Sequence, residues 1–301
     1  RHYYKGENRM AAKTQIGQCA LCRQNDKELQ LSHIVPHLVG RYLMKTSPGS
    51  IRRTDMPNKT VQDIEKHYLL CHDCEELFSA NETWFANNIF FPYEKDEKKE
   101  FDYGEELTYF IISLSWRRLY LDLEDFAHDP LVPQETLMEY FAAEQVMREY
   151  LLGKRNNIGA IKNHIFFFDR VKHNEYTRTL NGLSSTLHRS ICSYSNYAGR
   201  TAYTASMLQG ILIVTFYSMD EQEQWLGTKI DINGGRIKAE NQRITSIIGE
   251  DIEQLNKNLE DAYNRMSDVQ KQKINEKANK LGEDIKNYPI FQDWMDDYYN
   301  E

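Results

Sequence analysis

The sequence predicts an α+β protein in which a compact metal-bound module precedes a larger mixed domain. Three observations carry this. Two Cys-x-x-Cys pairs fall within the first 80 residues; two helix-periodic segments occupy about 105–152; and β-branched and aromatic runs follow at about 162–240, before a polar helical tail at 246–300. The expected division is therefore a zinc-stapled module at 1–100 and an α+β domain at 101–301.

The opening RHYYKGENRM lacks the basic start, apolar stretch and cleavage site of a signal peptide, and Met10 is a candidate start site. Cys19-Ala-Leu-Cys22 forms the first knuckle. Leu29 to His33 alternates as a strand would, and Pro36 ends it. Gly40, Ser47, Pro48, Gly49 and Ser50 make the next stretch loop-rich, with Arg52-Arg53 just beyond the turn. Cys71-His-Asp-Cys74 forms the second knuckle and leads into a helix, after which Trp84, Phe85, Phe90 and Phe91 pack against the rest. The charge run Glu94 to Glu100 (EKDEKKE) reads as a solvated linker.

Beyond it, Leu107, Phe110, Ile111 and Leu114 recur at spacings of three and four within Glu105 to Phe126. A second helical pattern fills Gln134 to Leu152, and Pro130 and Pro133 break the two apart. Short strands are expected at Ile165 to Phe168, Ile191 to Tyr194 and Ile211 to Tyr217. Lys229 to Ile237 alternates about Asn233-Gly234, a hairpin signal. In the tail, Ser267 and Gln270 have capping-box spacing ahead of a helix over Asp268 to Leu281.

Zinc prefers a tetrahedron, and two thiolates three residues apart can share one ion from a tight knuckle. Cys19, Cys22, Cys71 and Cys74 together complete a four-thiolate shell. The alternative is a redox pair or two unrelated pairs. A shell of four thiolates has no open position, so this zinc would hold the fold without doing chemistry. The 48 residues between the pairs must fold as something substantial. An odd total of five cysteines, four of them so paired, favours a reducing, cytoplasmic setting over a disulfide framework.

Between the pairs, Ser32-His33-Ile34-Val35-Pro36 has the His, Ile and Pro of a segment found in HNH endonucleases. Leu69-Leu70-Cys71-His72-Asp73-Cys74 is similar to the way that family's chains run into their metal helix. Over about residues 17–90 the sequence resembles that family, and the resemblance implies a ββα-metal-like module in which His33 is the general base that activates water. Where the family pattern has an acidic residue before the catalytic His, this chain has Ser32. Lys66 stands at the Asn position, and Glu75 stands where a His follows the last Cys. The substitutes expected for the catalytic metal, Mg²⁺ or Mn²⁺, are Glu75 with His72 or Glu82. Each has a plainer reading: carboxylates suit the start of a helix, Glu82 suits an ion pair, and His33 can simply hydrogen-bond within a hairpin.

The whole chain carries a formal net charge of −8, yet residues 1–80 hold 12 Lys/Arg against 9 Asp/Glu. A polyanion would therefore approach the front of the chain. Arg41, Lys45, Arg52, Arg53 and Lys59 are the candidate phosphate contacts. No stretch reaches the apolar length of a membrane span, no GxxxxGK[ST] loop is present, and Ser190 near His188 lacks a nucleophile-elbow context. The expected function is metal-dependent hydrolysis of DNA or RNA, of the kind bacterial defence or mobile-element effectors perform. The alternatives are an inactive HNH-like zinc module binding nucleic acid or a protein partner, and an assembly protein that associates with a partner or with itself through residues 101–301.

Overall fold

Two short strands, β1 (Gln15–Gly17) and β2 (Lys27–His33), open the chain in the computed structural model, which describes residues 14–48, 51–169 and 177–300. Met10, Gly49 and Ser50, singled out above, lie outside the described residues. Pro36 caps α1 (His37–Lys45), and a small hairpin follows, β3 (Ile51–Arg52) with β4 (Thr60–Val61). β5 (Lys66–Cys71) pairs antiparallel with β2, giving a sheet of order β1-β2-β5, and runs straight into α2 (His72–Phe85). The register slips between Gln30 and Leu31. Among the described residues, the long insert between the knuckles is therefore two paired strands with a helix and a small hairpin between them.

The run expected as a solvated linker is exposed over residues 95–98 and at Glu100, but regular elements reach into both of its ends. A π-helical turn (Ala86–Phe90) leads into α3 (Phe91–Asp96), and β6 (Glu100–Tyr103) begins at the last residue of the run. Exposed Lys95 lies over the rings of Phe91 and Tyr42, which fixes its stem while its charge stays in water.

α4 (Glu105–His128) and α5 (Gln134–Leu151) fall where the periodicity places them, parted by Pro130 and Pro133. The strands after them are β7 (Lys162–Phe167), β8 (Ile191–Ala198), β9 (Thr201–Leu208) and β10 (Ile211–Ser218), with α6 (Leu183–Arg189) before β8. β9, TAYTASML, has no apolar alternation to betray it, because its small Ala, Ser and Thr side chains fill a strand buried on both faces. Gln209 and Gly210 both take positive φ in the two-residue turn joining β9 to β10. A Cβ on Gly210 would also meet His188 at 2.9 Å.

β11 (Gln224–Leu226), β12 (Lys229–Ile230), β13 (Gly235–Lys238) and β14 (Arg243–Thr245) complete the strands. The turn at Asn233-Gly234 forms, but it is not a hairpin: β12 pairs with β7 while β13 pairs with β6, in another sheet. The alternation is real, and tertiary partners at each end outcompete the local pairing. α7 (Ile248–Arg265), α8 (Asp268–Leu281) and α9 (Pro289–Asn300) form the tail. The capping box is not made. The Ser267 side chain makes no cap bond, and Gln270 instead accepts a hydrogen bond from Arg52.

The main sheet, of order β12-β7-β10-β9-β8, is the middle layer. Ile211 and Ile213 of β10 pack with Phe110 and Ile111 of α4, whereas Leu212, Val214 and Phe216 pack with Leu187 of α6 and Ile248 of α7. Alternate side chains thus serve opposite faces, and β10 reads as one continuous apolar run. On its other side α4 receives α2: Phe85 stacks on Phe110 at 4.0 Å and Phe78 meets Trp116 edge-on. Cys19, Leu21, Leu70 and Phe78 share one core with Trp116, Tyr140 and Met147, so the cysteine-bearing sheet is fused to α4 and α5.

Candidate metal centre and polar cluster

The first knuckle is a tight turn. Arg23 N–H donates to Cys19 O, Cys19 N–H donates to Gln24 O, and Arg23 adopts φ +64 to close the loop. Ala20 N–H reaches Leu69 O, which draws the turn against β5. The second knuckle is the junction of β5 and α2. The Sγ atoms of Cys19, Cys22, Cys71 and Cys74 all lie within 4.8 Å of one another, and Cys22 and Cys71 are 3.9 Å apart. Tetrahedral bonds of about 2.3 Å to zinc place sulfurs roughly 3.8 Å apart, so the spacing suits that ion.

The four cysteines are placed to bind one metal ion, and their electrostatics call for a cation. A hydrogen bond from Cys74 pulls the Cys19 thiol down to about 4, while that same partnership pushes Cys74 up. Four thiolates this close repel one another, and a dication removes the conflict.

A second cluster lies at the far end of β2. His33 Nε2 is 2.9 Å and 3.0 Å from the two carboxylate oxygens of Asp63, and His37 Nε2 is 3.6 Å from Asp63 Oδ1. The two imidazoles stack with centroids 4.6 Å apart. One ligand atom from each of the three residues lies within 4.8 Å of the others. Asp63 Oδ2 also meets Lys66 Nζ at 2.7 Å, and its Oδ1 accepts from the Ile64 N–H at 2.9 Å. Burial alone would raise the Asp63 carboxyl, but Lys66, His33 and the Ile64 N–H hold it well below the usual range. His37 is lowered by burial first and by the neighbouring His33 second. The lowered value favours the neutral imidazole, the form whose lone pair can bind a metal ion. Side-chain exposures of 20% for His33, 47% for His37 and 24% for Asp63 leave the cluster open to solvent.

Buried Arg117 of α4, only 1% exposed, supports this end of β2. Its Nη1 donates to His33 O at 2.7 Å, its Nη2 to Glu82 at 2.6 Å, and its Nε to Ser113 O.

The residues singled out from the sequence separate into several places. His33 joins His37 and Asp63. Glu75 does not join them: Ser32 Oγ donates to it at 2.6 Å. Neighbours in a strand point to opposite faces, so Ser32 turns toward α2 while His33 turns away. Glu82 is the partner of Arg117, and His72 is exposed at the start of α2. The set Glu75, His72 and Glu82 is therefore not gathered around His33. Among the basic residues, Arg53 is paired with Asp55, and Arg41 and Lys45 are exposed on α1. Arg52 donates to Pro57 O and Gln270, and Lys59 is exposed beside it. His37 and Asp63 escaped sequence reasoning. Asp63 lies 30 residues from His33 in a polar loop, with no periodicity to mark it.

Among the described residues, no helix is long and apolar enough to cross a membrane. No family model, curated protein or solved structure matches this chain.

Proposed function

We propose that the chain is a metal-dependent nuclease, with an HNH-like ββα module formed by β2, β5 and α2 around a structural zinc on Cys19, Cys22, Cys71 and Cys74. One observation carries the reading: His33, His37 and Asp63 converge, partly exposed, at the strand end where the HNH-like motif expects its catalytic histidine. Two imidazole nitrogens and one carboxylate oxygen are three ligands, which leaves positions for water and a phosphate oxygen. A divalent cation there would polarise the phosphodiester and lower the pKa of an attacking water. The donor set suits Mn²⁺, Fe²⁺ or Zn²⁺ better than Mg²⁺, whose preference is for oxygen.

In this reading His33 acts as a ligand rather than as the free base its motif suggests. Asp63 keeps Lys66 on Oδ2, and the cations and N–H group around its carboxylate hold it ionised at neutral pH. Arg41 follows His37 by four residues, on the same face of α1, and its charge reaches that imidazole. Arg41 and Lys66 therefore flank the place where a scissile phosphate would sit. Thiolate ligands to zinc also favour a reducing, cytoplasmic setting.

The second reading is a catalytically inactive module that binds nucleic acid or a protein partner. The Ser32–Glu75 bond favours it, because those are the positions where the HNH pattern places metal-binding groups. One experiment separates the two. Zinc-loaded protein is titrated with Mn²⁺ by electron paramagnetic resonance and assayed on plasmid, single-stranded DNA and RNA. Binding of one Mn²⁺ with cleavage, both lost in His33→Ala and His37→Gln at unchanged zinc content, is expected. Folded, zinc-loaded protein that neither binds Mn²⁺ nor cleaves any of the three would sink the nuclease reading.

A further inference from the structure

A cleft of about 520 Å³ lies where the β3–β4 hairpin meets α8. Arg52 and Lys59 from the hairpin and Lys273 and Lys277 from the helix line it, and no carboxylate is among its lining residues. In a chain of net charge −8, a concavity walled by four cations and no acid is a strong local reversal.

The two walls are fixed to each other. Arg52 Nη2 donates to Gln270 Oε1 at 3.0 Å, Ser267 N–H donates to Asn58 Oδ1 at 2.8 Å, and Arg265 donates to Thr54 O at 2.8 Å. On the helix side, Lys273 and Lys277 are four residues apart and so share the face that lines the cleft. Only one apolar residue, Ile274, is in the lining, so the cleft suits phosphate oxygens rather than an apolar ligand.

Position ties the cleft to the polar cluster. Thr60 lines the cleft and Asp63 is three residues further on, so their Cα atoms are separated by no more than about 11 Å. A nucleic-acid strand spaces its phosphates at about 3.4 Å along the axis of a duplex, so the two places are only a few nucleotides apart.

We infer that this cleft holds the phosphate backbone of a nucleic-acid strand a few nucleotides from the His33–His37–Asp63 cluster, with α8 supplying half of the grip. The inference deepens the nuclease reading and rests on it for the identity of the strand, but its test needs no cleavage. Full-length, zinc-loaded protein is titrated into fluorescein-labelled single-stranded DNA and RNA without added divalent cation, and anisotropy is followed from 50 to 200 mM salt. The K273Q/K277Q variant should bind about tenfold more weakly, with a salt slope shallower by roughly 1.4, at about 0.7 per phosphate contact on a single strand. The control K238Q/K257Q removes the same charge from lysines paired elsewhere, with Glu100 and Glu253, and should keep the wild-type slope.

A slope that falls in the α8 variant alone supports the cleft, even if no strand is ever cut, in which case the nuclease reading falls by itself. Equal slopes in the two variants overturn the cleft, even if the protein cleaves. Displacement of bound strand by pyrophosphate is expected for a shared phosphate site. Pyrophosphate binding with no strand binding overturns the inference in favour of a small phosphate ligand.

Discussion

Arg117 is a guanidinium with nowhere to go. It is 1% exposed, its carboxylate partner is Glu82, and another of its nitrogens holds the His33 carbonyl. Removing one member of a buried pair strands the other charge in a low-dielectric interior, which costs more than the pair contributes. Glu82→Gln is therefore expected to destabilise the protein by roughly 3 kcal/mol, read from urea unfolding. A midpoint within error of wild type would show that water reaches Arg117 and that the pair carries little. This residue also marks what the sequence could reveal. Glu82 was foreseen either as a metal ligand or as an ion-pair partner, and nothing in its own neighbourhood chooses between them. The partner that decides lies 35 residues away on another helix. The four cysteines are legible because their meaning lies in short spacings, whereas Asp63 joins His33 only when a loop returns it.

At the level of elements, periodicity served the helices well because α4 and α5 each bury a defined stripe. It failed for β9, whose small side chains carry no pattern, and for the turn at Asn233-Gly234, whose flanking strands find partners elsewhere. The same distinction governs how the cysteine-bearing sheet should respond to loss of a metal bound there. β1, β2 and β5 are short, and the knuckles tie their ends together. Chelation is expected to raise amide hydrogen exchange in residues 15–33 and 66–85 well before it reaches β7 to β10, which are ordered by their own two-sided core. Uniform protection after the metal has been removed would mean that the cysteines staple nothing.

Across the whole molecule, a half-buried polar cluster joins α3, α6 and α9. His188 Nδ1 lies 2.7 Å from Asp293 and its Nε2 lies 2.7 Å from the Phe168 carbonyl, so both ring nitrogens face acceptors and the imidazolium satisfies both. Burial alone would lower His188, but Asp293 outweighs it and the pKa is raised. Nearby Glu94 is pushed up to about 8, chiefly by burial, with His188 and Arg189 acting against that shift. Both groups hold a proton more tightly folded than unfolded. Their contribution is therefore complete below the unfolded values, about 4.3 for Glu and 6.5 for His, and is lost as pH rises through the folded ones. The melting temperature should fall between pH 5 and 8, and Glu94→Gln should flatten that decline. A variant with the wild-type slope would remove Glu94 from the account.

The clasp between the β3–β4 hairpin and α8 has a consequence in time. Arg52 and Gln270 are 218 residues apart, so during synthesis the cysteine knuckles are complete while the helix that closes the basic cleft does not yet exist. At about 5–20 residues per second, the interval from Cys74 to Lys277 lasts roughly 10–40 s. Throughout that interval the emerging front of the chain has its histidines and its cysteine knuckles but only the hairpin wall of the cleft. If the cleft grips a strand as inferred above, that grip is assembled only after the knuckles and the hairpin have been made.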